Sequence, residues 1–261
     1  MSELTPAELF GLRGRPFVLI GGGEGLGLAI ARHLRAAGAE VLVADRDLAM
    51  AAAVAEQTGA VAFQADALDR ESLRGAFEEA ARRFGEVQGV VDIIGIAKLQ
   101  PLRDFTDDDW AWQFEMVVRH AFLTLQIGAE YVVDGGSFTM VGSLSGSHVV
   151  RRQTAYGSAK AALHHLVRGA ALEYAARGVR VNAIAPGFIR TPRLEQLLSD
   201  ESWRQVEGAI PLGRAARPAD IAGGVLFLAS DLAKIVTGQI LPADGGVSVA
   251  AALPDLDWRP R

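Results

Sequence analysis

Pro16-Phe17-Val18-Leu19-Ile20-Gly21-Gly22-Gly23-Glu24-Gly25-Leu26-Gly27 is an apolar run of strand length that ends in a glycine-rich turn. Leu28 to Ala37 then reads as a helix, stopped by Gly38. The order is strand, glycine turn, helix, and the same alternation repeats outward along the chain. Glu40 to Ala44 is a second strand that ends at Asp45, followed by a helix over Leu48 to Gln57. Ala60 to Gln64 is a short third strand ending near Asp66, and Asp69 is placed to cap a helix over Glu71 to Phe84. Val87 to Ile94 makes a fourth strand. Thr106 then caps a long helix that passes Trp110 and Trp112 on its way to about Tyr131, and Gly136 to Val141 is the fifth strand.

Beyond it, a helix through Ala161 to Ala176 ends at Gly178, and Val179 to Ile184 is a sixth strand broken by Pro186-Gly187. A last helix covers Ala219 to Ala229 and a last strand Gln239 to Leu241. Strands alternating with helices specify the α/β class: a doubly wound parallel sheet of about seven strands, helices on both faces, ligand sites beyond the strands' C-terminal ends. The chain reads as one domain over 1–261, with its core at 14–250 and a tail at 251–261. The one long connection, a loop with short helices over 188–212, has the length of a functional lid.

Composition narrows the function classes. Half of the 261 residues are apolar, enough for a sizeable core. The formal charge of −5 is modest and basic residues are scattered, which argues against a nucleic-acid surface and for a small-molecule substrate. There is no cysteine, hence no disulfide, thiol nucleophile or thiolate metal site, and no metal is expected. The first eight residues lack the basic start and apolar core of a signal peptide, and no apolar run reaches membrane-spanning length, so a cytoplasmic protein with no membrane partner is expected.

Gly21, Gly25 and Gly27 stand in G-x-x-x-G-x-G spacing, with Gly23, Glu24 and Leu26 between them. Glycines there let the backbone turn tightly and approach a pyrophosphate, whose charge the helix N-terminus meets. Asp45 follows at the end of the second strand, where a carboxylate accepts bonds from adenosine ribose hydroxyls. It would repel a 2′-phosphate, and Glu24 adds to that repulsion, so NAD is expected rather than NADP; Arg46 is the contrary signal.

The second informative stretch runs from Ser143 to Lys160, S-L-S-G-S-H-V-V-R-R-Q-T-A-Y-G-S-A-K. On a helix Tyr156 and Lys160 share one face, and an ammonium beside a phenol is expected to lower its pKa toward neutral. Ser143 adds a hydroxyl to the same place. Alone, Tyr-x-x-x-Lys also describes an ordinary exposed helical pair.

Taken together, the glycine turn, the Ser143 to Tyr156 spacing, Tyr-x-x-x-Lys, Asn182-Ala-Ile-Ala-Pro186-Gly187 with Thr191, and the late Asp244-Gly245-Gly246 resemble the short-chain dehydrogenase/reductase family over nearly the whole chain. The resemblance implies a Rossmann-type fold with Tyr156 as general acid/base, Lys160 lowering its pKa and binding the nicotinamide ribose, and Ser143 polarising the substrate oxygen. It also implies Asp66 and Ala67 beside the adenine and Ile189 and Thr191 at the carboxamide. Asp92, Ile93 and Gly95 after the fourth strand, and Pro186 and Gly187 after the sixth, complete the expected cofactor site. A dimer or tetramer is implied, through the helix that passes Trp110 and the one that carries Tyr156.

Departures from the family pattern are informative. Ile20 stands where Thr usually opens the turn, and Asp92-Ile93-Ile94-Gly95 stands for Asn-Asn-Ala-Gly. The long helix usually carries an Asn seven residues past a Trp; counted from Trp110, that position is Val117. One expectation is that Ile93 and Val117 exchange a polar contact between strand and helix for an apolar one, while a main-chain carbonyl still holds a relay water. The alternative is a crippled relay.

On the substrate side, Leu144, Ser145, His148 and Gln153, with Val149 and Val150, lie between the presumed catalytic residues, and Lys98 and Leu99 follow the fourth strand. Arg151 and Arg152 could hold an anionic substrate or simply be solvated. The expected activity is hydride transfer between NAD and a secondary alcohol or ketone. A cis-dihydrodiol or hydroxyacyl dehydrogenase would use the same site, and a catalytically silent NAD-binding scaffold or sensor is the reading from another class. The tail, with Leu253, Leu256 and Trp258, either packs on a neighbouring subunit or frays.

Overall fold

Both faces of the first strand are buried, and that single fact sets the architecture. In the computed structural model, which describes residues 9–250, β1 (Pro16–Ile20) is buried along its whole length. Val18 and Ile20 join one hydrophobic cluster, Phe17 and Leu19 another. Adjacent β2 (Glu40–Asp45) alternates in step: Leu42 and Ala44 lie on the first side, Val41 and Val43 on the second. A period-2 pattern that is apolar on both faces needs helices above and below, the hallmark of a parallel sheet.

The sheet has seven parallel strands in the order β3-β2-β1-β4-β5-β6-β7. The others are β3 (Val61–Gln64), β4 (Val87–Asp92), β5 (Val132–Val141), β6 (Arg180–Pro186) and β7 (Ile240–Ala243). One face is covered by α1 (Leu26–Ala36), α2 (Leu48–Thr58) and, from the far end of the chain, α9 (Pro218–Ala229), through Ile30, Leu34, Val54, Val225 and Leu228. On the other lie α3 (Arg70–Phe84), α5 (His120–Tyr131) and α6 (Thr154–Tyr174), through Phe77, Leu123, Ile127, Leu163 and Val167. The strand order reverses between β1 and β4, which is where such sheets open a crevice.

Local signals act where they were read. Asp47 Oδ1 accepts from Ala49 N at the start of α2, and Asp69 Oδ1 accepts from Ser72 N (2.7 Å) at the start of α3. Thr106 and Asp109 form a reciprocal capping box on α4 (Asp107–Phe114). Gly178 ends the turn after α6 in the left-handed region, at φ 67°.

The long helix expected from Thr106 to Tyr131 is present and carries a π-turn over Glu115–Arg119 between α4 and α5. β5 begins at Val132 rather than Gly136, with an irregular register against β4 between Val87 and Gly89. The 188–212 connection carries two short helices, as read: α7 (Pro192–Leu197) and α8 (Asp200–Gly208). The leader read at 1–8, and the tail residues Leu253, Leu256 and Trp258, lie outside the described residues.

Gly89 shows how tightly the two central strands are packed. A Cβ built there would stand 2.3 Å from Cε1 of Phe17, whose ring is fully buried on β1. The ring is hemmed in and cannot retreat, so Gly89→Ala is expected to lower stability by about 1–3 kcal/mol. A urea midpoint matching the parent protein's would refute this account of the central packing.

Candidate active site

The crevice runs along the C-terminal edge of β1 and β4 as two adjoining hollows that share Ile93, Gly95 and Ile96. The first, about 800 Å³, is walled by Gly21, Asp45, Arg46, Asp66 and Ala67. Its floor is the glycine turn, where Gly21 (φ 99°) and Gly25 (φ 93°) occupy backbone regions that L side chains rarely adopt. Gly27 is needed for closeness instead: a Cβ there would lie 2.7 Å from the Gly21 carbonyl oxygen. Gly23 meets nothing nearer than a methionine terminus at 3.9 Å and leaves open space over the turn. No side chain caps the N-terminus of α1, so its first N–H groups remain free for an anion. Asp45 Oδ2 accepts from Gly22 N (2.8 Å) and Oδ1 from Asp47 N (2.9 Å), fixing the carboxylate beside the turn. Glu24 is exposed, and Leu26 opens α1 and also walls the second hollow.

The second hollow, about 930 Å³, brings together Ser143, Tyr156 and Lys160 with Pro186, Gly187, Ile189 and Thr191. Ser143, extended at the end of β5, accepts from Ser145 N (3.1 Å) and so caps the turn that follows. Tyr156 and Lys160 stand on the first two turns of α6. Lys160 is only 1% exposed; its Nζ donates to the Val141 carbonyl (2.7 Å) and lies 5.8 Å from the Tyr156 ring centroid. Gly95 makes room for it, since a Cβ there would come within 2.9 Å of Nζ.

Burial draws the Lys160 ammonium down to about 8, against the opposing pull of Asp92. The Tyr156 phenol differs from the sequence-based expectation. Burial pushes it up to about 12, with the Ser143 hydroxyl pulling the other way, and Lys160 does not lower it while its amine is turned to the Val141 carbonyl. What the cluster offers is two hydroxyls and an ammonium converging on one end of a groove, an arrangement suited to exchanging a proton with a substrate oxygen.

Behind this cluster are groups that the sequence reading missed. Asp92, placed among the cofactor residues, is 1% exposed and lines neither hollow itself, although its partner His120 lines the first. Its Oδ2 accepts from His120 Nδ1 (2.9 Å) and Thr124 Oγ1 (3.0 Å), its Oδ1 from Ile94 N (2.9 Å). Burial pushes this carboxyl up, but His120 and the other donors prevail and hold it below the usual carboxylate range. A polar link between fourth strand and long helix is therefore present through Asp92 and His120, beside the apolar positions Ile93 and Val117. Val117 lies fully buried within the π-turn, three residues before His120. Gln113, also fully buried, ties the next loop down: its amide accepts from Lys98 N and donates to the Ile96 carbonyl, both at 2.8 Å. His164 packs beneath the Ser143 turn, its Nε2 3.5 Å from Ser143 N and its Nδ1 3.4 Å from Ser147 Oγ.

The remaining candidates are dispersed. Ser145, His148 and Gln153, with Val149 and Val150, line a separate hollow of about 570 Å³ on the other side of the Ser143 turn; Ser145 Oγ donates to Gln153 Oε1. Leu144 is half-buried and lines none of these hollows. Arg151 and Arg152 are exposed, and Lys98 is ion-paired to Asp109. Leu99 does reach the second hollow, joined there by Arg193, Leu194 and Leu197 of α7. Thr191 Oγ1 caps α7, accepting from Leu194 N (3.3 Å). Trp203, Ile210 and Ala215 form a small core of their own, with the Arg190 guanidinium 4.3 Å above the Trp203 ring.

Residues 21–248 match the family model described as enoyl-(acyl carrier protein) reductase, a short-chain dehydrogenase/reductase model. The chain is 36% identical over 252 residues to a galactitol 2-dehydrogenase (L-tagatose-forming) of Cereibacter sphaeroides, covering 92% of this chain and 98% of that one. It is 34% identical to a 2,5-dichloro-2,5-cyclohexadiene-1,4-diol dehydrogenase of Sphingobium indicum, covering 91% and 98%. Among solved structures it is similar to a putative short-chain alcohol dehydrogenase from Sinorhizobium meliloti (TM-score 0.87, 33% identity, 93% and 100% covered). A short-chain type dehydrogenase/reductase from Mycobacterium ulcerans is similar too (TM-score 0.87, 30% identity, 91% of each chain).

His164 yields a pH test of this packing. Burial, Lys160 and Arg168 lower its imidazole from 6.5 to about 4. An unfolded chain takes up this proton as pH falls through 6.5, whereas the folded chain refuses it until about 4. Stability is therefore lost across that window as pH falls, on the order of 2–3 kcal/mol. In urea melts between pH 6.5 and 5, above the main carboxylate range, His164→Gln should flatten the slope; an unchanged slope would show that His164 is not held neutral.

Proposed function

The chain belongs to the short-chain dehydrogenase/reductase family, and from that membership we propose that it transfers hydride between NAD(H) and a secondary alcohol or ketone. The observation that carries this reading is the convergence of Ser143, Tyr156 and Lys160 at one end of a groove whose other end holds Asp45 and the glycine turn.

A nicotinamide dinucleotide fits the residues present. The turn lies open above Gly23, the N-terminus of α1 offers uncapped donors, and Asp45 presents a carboxylate where a ribose diol would donate. Arg46, Asp66 and Ala67 would flank the adenine, Lys160 the nicotinamide ribose, and Ile189 and Thr191 the carboxamide. The preference for NAD follows from the carboxylate, which a 2′-phosphate would meet at close range. Bound, the dinucleotide supplies the hydride acceptor or donor.

The chain's own residues handle the proton. Ser143 Oγ and Tyr156 Oη hold the substrate oxygen between them. In oxidation the phenolate takes the hydroxyl proton, and in reduction the phenol gives it back. With the phenol at about 12 in the protein alone, the phenolate requires added positive charge nearby, which a Lys160 ammonium swung from Val141 toward the substrate side would supply. Leu99, Leu194 and Leu197 favour a largely apolar substrate, with Arg193 the charged group on that wall. The relatives named as acting on galactitol and on a chlorinated cyclic diol support an alcohol as the reduced substrate.

Two measurements test the reading. With NAD and a panel of secondary alcohols, cyclic diols and hydroxyacyl thioesters, NADH absorbance should rise. Tyr156→Phe should cut that rate by about 10²–10⁴, and NADP should serve less well than NAD. Tight NAD binding without turnover, unaffected by Tyr156→Phe, would instead mark a binding scaffold. Trp110, Trp112 and Phe122 are about 40% exposed on the long helix and Leu172 is 81% exposed on α6, exposed apolar side chains that support assembly of copies of this chain. Light scattering that returns a monomer mass would refute that assembly.

A further inference from the structure

Lys160 and Asp92 enter the same corner of the core from different elements. Lys160 comes from α6 and docks on the Val141 carbonyl at the end of β5; Asp92 closes β4, where it pairs in register with Met140, one residue before Val141. Gly95, three residues past Asp92, is the backbone that Lys160 Nζ passes at close range. Both groups are 1% exposed. An ammonium so buried, with one neutral carbonyl as its hydrogen-bond acceptor, stays charged only if a counter-charge lies nearby. The carboxylate, in turn, is accepted by the core because three donors, from His120, Thr124 and Ile94, converge on it.

We propose that Asp92 is the counter-charge of Lys160, and that His120 and Thr124 are positioning residues that hold Asp92 ionised for it. This unit occupies the junction of fourth strand and long helix in a chain that carries Val117 where an Asn was expected. It rests on the reading of Lys160 as part of an oxidoreductase site and names the residues that set its charge.

The titratable groups around Lys160 are few. Asp92 acts on it from the end of β4, itself bonded to His120; Tyr156 and His164 come from its own helix, and Arg168 acts on His164 from one turn further on. Of these, Asp92 is the one that favours the charged amine, opposing the burial that lowers Lys160 to about 8. Removing the carboxylate therefore moves Lys160 further toward the neutral amine at physiological pH. A purely structural tie between β4 and α5 would leave the amine's titration where it is.

The sequence makes the measurement direct, because the chain has three lysines, Lys98, Lys160 and Lys234. In full-length protein carrying isotopically labelled lysine, Lys98→Arg and Lys234→Arg assign the signals, and Lys160 is followed by NMR against pH. Asp92→Asn should lower the Lys160 inflection by about one pH unit or more, and Asp92→Glu should restore part of the shift. The double variant His120→Gln/Thr124→Val, which keeps the carboxyl but strips two donors, should move the inflection the same way, and it stands in where Asp92→Asn does not fold. An inflection unchanged in either background overturns the proposal. If the protein also turns over an alcohol, the alkaline limb of kcat/KM should shift with Lys160 in the same variants while KM for NAD changes less. Absence of any turnover would count against the proposed function alone, since the NMR titration needs no substrate.

Discussion

A lysine amine buried to 1% exposure and tied to a single backbone carbonyl is the constraint around which this molecule is arranged. Its amine occupies space that a side chain at position 95 would enter, a Cβ there coming within 2.9 Å of Nζ. Its charge calls for an ionised group in the core, and the carboxyl at the end of β4 favours it. That carboxyl in turn needs donors, which the helix after the π-turn presents as His120 and Thr124. On the opposite side, the same positive charge helps keep His164 neutral beneath the Ser143 turn. Each of these residues is costly when considered alone; together they satisfy one another.

How much of this was readable depended on the range of the interaction. The strands were legible because burial on both faces leaves uninterrupted apolar runs, as in Pro16–Ile20. Helix starts were legible because Asp47, Asp69 and Thr106 bond to backbone only two or three residues away. Ser143, Tyr156 and Lys160 were legible as a spacing, and the structure gathers them in one hollow. The Asp92–His120 pair was not, because its members are 28 residues apart and a histidine in a helix carries no sign of what it will face. The π-turn was equally hidden: Glu115–Arg119 contains no proline or glycine to announce it. On the substrate side, Ser145 and Gln153 were legible only as neighbours in sequence of Ser143 and Tyr156; their bond to each other beside a separate hollow was not.

The 188–212 segment illustrates the same division. Leucines at helical spacing there fit either closure over a ligand or plain packing, and the structure places its apolar residues in two settings. Leu194 and Leu197 border the hollow that holds Tyr156, while Trp203 and Ile210 form a satellite core braced by Arg190 with Glu195 and Glu207. The segment is thus a small folded body set beside the groove, with Pro192 resting against Gly25 of the glycine turn, where a Cβ would lie 3.1 Å from the proline ring.

Asp45 holds two offices at once. One carboxylate oxygen clasps the amide of Gly22 while the other clasps Asp47, so the group that would choose between two dinucleotides is also a rivet of the turn that would carry either. Any exchange of this acid for a small or basic residue therefore takes away the brace of Gly22 at the same stroke, and the turn then needs another partner for that amide.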